Sequence, residues 1–435
     1  MAQRVERPRG TSRWRLIRWF LNPDSQIGLP GWVVAATIVA LFTVGTREVV
    51  LLLLAVGLLL VPVVLRIWED HALDALGYSR AFSTTRALIG DTIHLDLIAD
   101  NAKPLPIGRL RVRDRVDADL AIRNVEITHE EWNRGYPVLE ATFTLGMYER
   151  SRHRYEVTCH RRGWLRVGPA ELTAEDPFGL ISRPFRVDTR DACLVYPRMV
   201  PLTGFPVPSR EPIGDASAEL TEDATRIVGV REYVPGDAPR RVHWRATARL
   251  GTLQSRVLEK TATANTAVFL DNNLYSPHAA GEEARVRELS IVVAASLCRR
   301  LLDAGQPVGL YVNSPVDEAR NPVRLPPGRR RTQLTRILEA LAMVSSAHGE
   351  RVEHLLARQM PLLPWGTTAA IITARPTAEF QRTLNRLARS TGRRFVLVVI
   401  GDAPILPGLT RRVTVVGLDG EEAWDDIAAI ALQPR

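Results

Sequence analysis

Arginine side chains crowd one short stretch of this sequence, between Val228 and Lys260. Guanidinium groups pair with carboxylates or phosphates through parallel hydrogen bonds, so the stretch could dock onto an acidic partner or bind phosphate. The same charges could instead form an ionic lattice between domains, and both interpretations stay open. The candidate residues are Arg231, Glu232, Tyr233, Pro235, Gly236, Asp237, Arg240, Arg241, His243, Trp244, Arg245 and Arg249.

Local chemistry predicts how parts of this stretch are arranged. Pro235-Gly236 favours a tight turn, and Asp237 can accept hydrogen bonds from nearby backbone amides. We expect His243 to be a packed, hydrogen-bonded histidine and Arg245 to be partly buried by the indole of Trp244.

Residues that would indicate catalysis are scarce. The sequence has no nucleophile elbow, no HExxH helix and no phosphate-binding loop. Cys159, Cys193 and Cys298 are far apart, which argues against a disulfide framework or a zinc site. We therefore expect a protein that is not an enzyme and has no catalytic residues. The alternative is an enzyme that uses Asp271 and His243 for acid–base work.

Two uncharged apolar stretches near the N-terminus, Ile27 to Val44 and Val49 to Leu65, could cross a membrane. Each has about the length needed to span a hydrocarbon core roughly 30 Å thick. Only the tetrapeptide GTRE separates them. The sequence therefore predicts a transmembrane helical hairpin over residues 27–66, in which Pro62 is tolerable.

The charges around this hairpin predict its orientation. Arginines outnumber acids in the tail over residues 1–26, whereas the hairpin link carries one Arg and one Glu. The positive-inside rule then puts both termini in the cytoplasm of a two-pass protein of the inner (plasma) membrane. The tail arginines are Arg4, Arg7, Arg9, Arg13, Arg15 and Arg18.

Residues 78–198 alternate apolar and polar side chains with a period of two. Ile93, Leu95 and Leu97 alternate with polar residues, and so do Leu139 and Phe143 with their neighbours. Such alternation is typical of half-buried antiparallel strands. About seven such strands with few helical patterns predict a β-sandwich domain.

The remainder of the chain predicts a linker and then an α/β domain. Residues 199–262 form a linker that ends in the arginine-rich motif, and its first part is rich in Pro, Gly and Ser. Residues 263–435 alternate apolar strands with helical patterns, which predicts a doubly wound, mostly parallel sheet. We expect a last helix at Glu421 to Ala431. Asp271 follows the first strand, at the edge where such sheets bind ligands.

Three segments together resemble the bacterial domain-of-unknown-function 58 family. They are RGWLRVGPAELTAEDPFGL, the long and unusual REYVPGDAPRRVHWRATARLG, and the strand AVFLDNN. The resemblance implies a membrane hairpin, a β-sandwich and a C-terminal von Willebrand factor A-like domain. It also implies a MoxR-type AAA+ ATPase as partner, and no enzymatic activity is carried over.

A von Willebrand factor A domain often binds a divalent cation through a first loop that reads Asp-x-Ser-x-Ser, a loop threonine and a later aspartate. Here the resemblance places Asp271, Asn273 and Tyr275 in that first loop, so only the aspartate matches. Thr332 could match the loop threonine, but an alanine and then Arg375 stand where the later aspartate would be. The metal site would be degenerate, so we expect no cofactor, with Mg²⁺ as the alternative.

These features predict a membrane-tethered adaptor that works with a MoxR-type AAA+ ATPase in a chaperone-like or envelope-related system. The alternative is a structural scaffold for cell-wall or secretion machinery. The net charge of +9 comes almost entirely from arginine, and we expect no nucleic-acid partner. The sequence leaves the oligomeric state open.

Overall fold

The computed structural model describes residues 3–4, 34–35, 37–42, 49–118, 120–123, 128–129, 137–206, 221–234, 242–261, 265–273, 280–315, 322–345, 347, 349–418 and 427–435. The chain divides into two compact units, Met1–Val195 and Tyr196–Arg435.

The first unit opens with helix α1, Val49–His71, which contains the second predicted membrane stretch and continues past Leu65. Among the described residues, α1 is the one helix that is both long enough and apolar enough to cross a membrane. Residues 34–35 and 37–42 of the first stretch are helical. The rest of that stretch and the tetrapeptide link lie outside the described residues, so the two-helix hairpin stays a prediction.

Two antiparallel sheets follow α1 and form a β-sandwich-like domain, as the alternating pattern predicts. One sheet has the order β1-β2-β4-β9-β6, and the other has β3-β12-β10-β5-β8-β7, with β11 also paired to β10. The strands are β1 (Gln3–Arg4), β2 (Leu76–Phe82), β3 (Arg86–Leu88), β4 (Thr92–Asn101), β5 (Ile107–Val116), β6 (Ala121–Ile122), β7 (Thr128–His129), β8 (Pro137–Leu145), β9 (Arg150–Thr158), β10 (Gly163–Glu175), β11 (Ser182–Val187) and β12 (Asp191–Tyr196).

One apolar core fills the space between the two sheets. Leu95 and Leu97 from one sheet and Leu139 and Phe143 from the other are all fully buried in it. The last turns of α1 join the same core through Trp68. Burial of alternate side chains on both inner faces is what stabilises such a pair of sheets.

The second unit is built on a seven-stranded sheet of order β18-β17-β16-β19-β20-β21-β23. Strands β16, β17, β19, β20 and β21 are parallel, and the edge strands β18 and β23 are antiparallel. The strands of this unit are β13 (Leu202–Thr203), β14 (Thr221–Glu232), β15 (Gln254–Thr261), β16 (Thr266–Leu270), β17 (Val308–Pro315), β18 (Pro322–Gly328), β19 (Thr368–Thr373), β20 (Phe395–Ile400), β21 (Val413–Leu418), β22 (Ile430–Ala431) and β23 (Gln433–Pro434).

Helices cover both faces of this sheet, as a doubly wound arrangement requires. Val268 and Leu270 of β16 face one apolar core, whereas Ala267 and Phe269 face the other. When β16 to β21 are numbered one to six, their order is 3-2-1-4-5-6, a common order for doubly wound sheets. The helices are α2 (Trp244–Leu250), α3 (Ala280–Asp303), α4 (Thr332–Ala342), α5 (Val352–Gln359), α6 (Ala378–Thr391) and the short 3₁₀ helix Met360–Leu362.

The C-terminal helix predicted at Glu421 to Ala431 is wrong at its end. Residues 419–426 lie outside the described residues, but Ile430–Ala431 is strand β22 and pairs in parallel with β13. The amide of Ile430 donates to the carbonyl of Pro201 at 2.8 Å. A helical apolar pattern was outweighed here by backbone pairing with a segment more than two hundred residues earlier, which the local sequence does not encode.

Candidate functional site

The arginine-rich motif forms a two-stranded antiparallel ribbon followed by a short helix. Strand β14 pairs with β15, and Glu232 at the end of β14 is opposite Gln254. Beyond that pair, the amide of Tyr233 donates to the carbonyl of Leu253 at 2.8 Å. Helix α2 lies between the two strands in the sequence.

His243 is the cap of helix α2. Its Nδ1 atom accepts a hydrogen bond from the backbone N–H of Ala246 at 3.1 Å, which satisfies an amide that the first helical turn leaves unpaired. Its backbone N–H donates to the carbonyl of Gln254 at 2.8 Å and so joins the helix to the ribbon. His243 is therefore hydrogen-bonded as predicted, and its Nδ1 is occupied by a structural bond.

Arg245 is exposed, so the prediction that the indole of Trp244 partly buries it is wrong. Trp244 itself is 69% exposed. The reason is that α2 has only seven residues, none of them buried, and lies beside a ribbon of two strands. Arg249 is also exposed, four residues after Arg245 and therefore on the same face of the helix.

Large apolar side chains surround these guanidinium groups on the ribbon and helix. We call this set of exposed residues the ribbon surface. It comprises Val230, Arg231, Glu232, Val234, Trp244, Arg245, Arg249, Leu250 and Leu253. Several exposed large apolar residues on one ribbon and its helix indicate an interaction site.

Part of the motif lies outside the described residues. Pro235, Gly236, Asp237, Arg240 and Arg241 fall in the gap between residues 234 and 242. The predicted turn and the ionic lattice between domains therefore stay predictions.

Asp271 lies at the carboxyl end of β16, as predicted, next to the end of β19. These two neighbouring strands are where the strand order reverses, which is the usual ligand position in doubly wound sheets. The Asp271 carboxylate is buried and accepts hydrogen bonds from the Asn313 amide at 2.7 Å and the Thr373 hydroxyl at 2.9 Å. The backbone N–H of Asn273 donates to it at 3.2 Å.

The neighbouring asparagines extend this hydrogen-bonded lattice. The Asn272 amide donates to the Ser314 hydroxyl and to the Ser345 carbonyl, both at 2.9 Å. The Asn273 amide donates to the carbonyl of Glu350 at 2.7 Å. Side chains that follow β16 thus hold together the carboxyl ends of β17 and β19 and the segment that follows α4.

Thr332 lies at the opposite edge of the sheet from Asp271. It begins α4, and the next residue, Gln333, donates from its amide to the carbonyl of Val308 at 2.9 Å. Val308 begins β17 and pairs with Thr266, whereas Asp271 follows the other end of β16. A five-residue strand is roughly 16 Å long, so Thr332 and Asp271 cannot share one cation.

The residues beside Asp271 do not fit a hard cation. A divalent cation needs several oxygen ligands, but amide and hydroxyl donors face both carboxylate oxygens of Asp271. Asn273 directs its amide nitrogen and oxygen to the backbone of residues 349 and 350, and the exposed Arg375 follows β19. Within the described residues there is also no group of three or more His, Cys, Asp or Glu that could hold a metal ion.

Asn313 and Thr373 are site residues that the sequence reading did not single out. Asn313 lies near the carboxyl end of β17 and Thr373 ends β19, and parallel strands bring their carboxyl ends to one edge. A search for polar residues at every predicted strand end would have found them.

Comparisons with solved structures give small partial matches to the chain. The CARDB domain of a Pyrococcus furiosus protein, solved with two metal ions, is 11% identical and matches over 27% of this chain and 93% of its own, with a TM-score of 0.18. The major pilin SpaD of Corynebacterium diphtheriae is 12% identical over 29% of this chain and 38% of its own, with a TM-score of 0.22. A Clostridium perfringens cohesin module is 10% identical over 27% and 96%, with a TM-score of 0.19. At such TM-scores these likenesses support no inference about this chain.

No curated protein matches the sequence. The family comparison is informative, because its match begins in β14, covers the ribbon surface and Asp271, and ends with β21. The resemblance that the sequence motifs carried is therefore confirmed: residues 229–418 of this chain match the model of the family described as "Protein of unknown function DUF58".

Proposed function

We propose that this protein is a membrane-tethered adaptor whose second unit binds a MoxR-type AAA+ ATPase through the ribbon surface. The observation that carries the proposal is the exposure of Trp244, Arg245 and Arg249, together with apolar neighbours, in the motif that is most specific to the family resemblance. Tryptophan and arginine are the residues most enriched among the energetic centres of protein interfaces.

The tether is helix α1, whose apolar side chains over residues 49–64 are largely exposed. Exposed apolar surface of this length is stable in a lipid bilayer and costly in water. The arginine-rich tail supports a cytoplasmic position for both termini in a two-pass arrangement. A cytoplasmic position is also where an ATPase would find its nucleotide.

The second unit is proposed to be von Willebrand factor A-like. The 3-2-1-4-5-6 strand order with an antiparallel edge strand supports this assignment, as does an aspartate at the end of the first strand. In this chain Asp271 holds neighbouring segments together by hydrogen bonds, so recruitment is assigned to the ribbon surface and not to a bound cation.

The proposal is tested by a binding measurement in the presence of nucleotide. The purified full-length protein, in nanodiscs, is titrated with the MoxR-type ATPase of its own organism. Truncation of an exposed hot-spot aromatic costs about 2 kcal/mol, so Trp244→Ala should weaken the Kd roughly 30-fold. Arg245→Ala should weaken binding less, and the loss should shrink as salt is raised, because salt screens exposed charges.

Matched controls lie elsewhere on the same unit. Trp365 is also 69% exposed, and Arg389 is an exposed arginine on α6. Trp365→Ala and Arg389→Ala should leave the Kd unchanged. Absence of binding by the wild-type protein, or equal losses in the control variants, would contradict the proposed role of the ribbon surface and favour the scaffold function.

A further inference from the structure

The last turns of α1 have two different environments on their two sides. Val64 and Ile67 are exposed, whereas Trp68 is buried in the core of the sandwich. The indole Nε1 of Trp68 donates to the carbonyl of Pro106 at 3.0 Å. The helix is therefore docked firmly on the sandwich at its C-terminal end, while its earlier turns extend away from that domain.

Buried charges hold the same junction. Arg66 and Glu69 form an ion pair at 3.0 Å with both side chains 3% exposed, and Arg183 lies 3.5 Å from Glu69. Lys103 donates from its ammonium group to the carbonyls of Ala72 and Asp74 just after the helix. The loop at residues 102–106 thus meets the end of α1. The turn at 146–149 is hydrogen-bonded to that loop, and the loop at 176–181 lies against the strand that follows it.

The loop at 176–181 is rigid and presents apolar side chains to solvent. The buried carboxylate of Asp176 accepts hydrogen bonds from the backbone N–H of Phe178 at 2.9 Å and of Ile181 at 2.7 Å. A Cβ atom on Gly108 would lie 2.6 Å from the Asp176 carbonyl, so the loop rests directly on the strand that follows Pro106. Phe178 is nevertheless 77% exposed, and Leu180 is exposed beside it.

The turn at 146–149 presents a second apolar pair. Met147 is exposed and Tyr148 is 69% exposed. The backbone N–H of Tyr148 donates to the carbonyl of Lys103 at 3.1 Å, which links this turn to the loop that holds the helix end. Tyr148 has a φ of 53°, a backbone conformation that non-glycine residues seldom adopt.

We propose that this end of the sandwich lies against the lipid bilayer that α1 spans, with Met147, Tyr148, Phe178 and Leu180 inserted at the interface as a second membrane contact. The proposal rests on the tether in the proposed function. It follows from continuity, because α1 stays exposed on one side as far as Ile67, and the loop at 102–106 that holds the end of α1 is hydrogen-bonded to the turn of Met147 and Tyr148. Aromatic side chains and large apolar groups are favoured at the headgroup level.

The acidic groups at this end already have partners, which reduces the cost of placing them near lipid. Glu69 is paired with Arg66, Asp176 accepts two backbone N–H groups, and Glu149 accepts the N–H of Gly146 at 2.5 Å. Firm docking of α1 on the sandwich also limits how far these loops can swing from the bilayer. The membrane interface is therefore the occupant that this surface fits.

Site-specific labelling of the full-length protein in liposomes tests this contact. The native thiols of Cys159, Cys193 and Cys298 are buried, and burial raises their pKa, so an introduced cysteine reacts selectively. An environment-sensitive nitrobenzoxadiazole label on Phe178→Cys should emit at shorter wavelength in phosphatidylcholine–phosphatidylglycerol vesicles than in water. Nitroxide-labelled lipid should quench at least half of that emission.

Two further label positions make the result decisive. Leu53→Cys in α1 reports the tether, and Leu88→Cys, an exposed apolar position at the opposite end of the sandwich, should stay unquenched. Quenching at 53 without quenching at 178 overturns the second contact and leaves the tether intact. No quenching at 53 overturns the tether itself. Blue-shifted emission at 178 that lipid nitroxides do not quench indicates a protein occupant and also overturns the proposal.

Discussion

Burial raises the pKa of the Asp271 carboxyl above its ordinary value, although hydrogen bonds from Thr373, Asn313 and Asn273 oppose the shift. For an acid whose pKa is raised by folding, the folded state holds the proton to higher pH than the unfolded state does. The free energy of unfolding therefore falls as pH rises from the unfolded pKa, about 3.9, through the raised folded pKa. The hydrogen bonds of this carboxylate hold neighbouring segments together, but burial of its negative charge lowers the free energy of unfolding.

We predict that Asp271→Asn removes this pH dependence. An asparagine can accept from Asn313 and donate to Thr373, whose hydroxyl can also accept, so the lattice survives without a charge. The melting temperature of the variant relative to the wild type should rise as the pH is raised above about 4, the pKa of an unfolded aspartate, as measured by calorimetry. Adding Mg²⁺ should not change the melting temperature of the wild type.

The matched control is Asp402→Asn in the same unit, because that side chain is almost fully exposed beside Arg435. Its melting temperature relative to the wild type should stay flat over the same pH range. A stabilisation by Mg²⁺ that is lost in Asp271→Asn would show that the carboxylate binds a cation and would contradict the fit argued here.

At the scale of elements, a buried ionic cluster joins the two sheets of the sandwich. Arg80 of β2 donates to Asp114 of β5 at 2.5 Å and to Asp191 of β12 at 3.0 Å. The hydroxyl of Tyr78 also donates to Asp114, which is fully buried. Burial is the main cause of the raised pKa of both Asp114 and Tyr78. One guanidinium group therefore links one sheet to the other by two ion pairs.

We predict that Arg80→Ala destabilises the sandwich by about 3–5 kcal/mol, because it leaves the Asp114 carboxylate buried without its partner. The measurement is denaturant unfolding of the full-length protein in detergent micelles. Arg123→Ala removes an exposed pair with Glu156 in the same domain and should cost only about 0–1 kcal/mol. A loss for Arg80→Ala as small as the one expected for Arg123→Ala would contradict the stabilising role of the Arg80–Asp114 pair.

At the scale of the whole molecule, two units with different architectures follow one another in the chain, and the first contains an apolar helix near the N-terminus. The helix ends inside the core of the sandwich, so any membrane tether holds that domain close to the bilayer. The ribbon surface belongs to the other unit, which carries the family match. Tethering and recruitment are thus assigned to separate parts of the chain.

We predict a two-pass topology with both termini in the cytoplasm. A green fluorescent reporter fused after Arg435 should fluoresce, and alkaline phosphatase inserted at Thr46 should be active on the far side. The physical reason is the excess of arginine in the N-terminal tail. An inactive phosphatase at Thr46 together with a fluorescent C-terminus would contradict the two-pass topology and indicate a single crossing or a peripheral protein. A C-terminus outside the cytoplasm would also exclude the proposed ATPase partner.

The local period of the sequence determined the elements and their buried faces. Alternation around Leu95 and Phe143 predicted half-buried strands, and the uncharged run after Val49 predicted an apolar helix. The same was true of Asp271, which follows a short apolar strand and lies at the sheet edge where it was expected. These features depend on neighbours two to four residues away, so the sequence alone carries them.

Only the tertiary structure decided what those elements meet. Ile430 pairs with Pro201, and Asn313 and Thr373 donate hydrogen bonds to the Asp271 carboxylate. Thr332 and Asp271, in contrast, lie at opposite ends of the sheet. Each of these relations concerns residues that are far apart in the chain. The exposure of Arg245 likewise depends on which segments pack against α2. Strand pairing, burial and hydrogen-bond geometry depend on the energy of non-local contacts. One local sequence pattern is compatible with several different sets of such contacts.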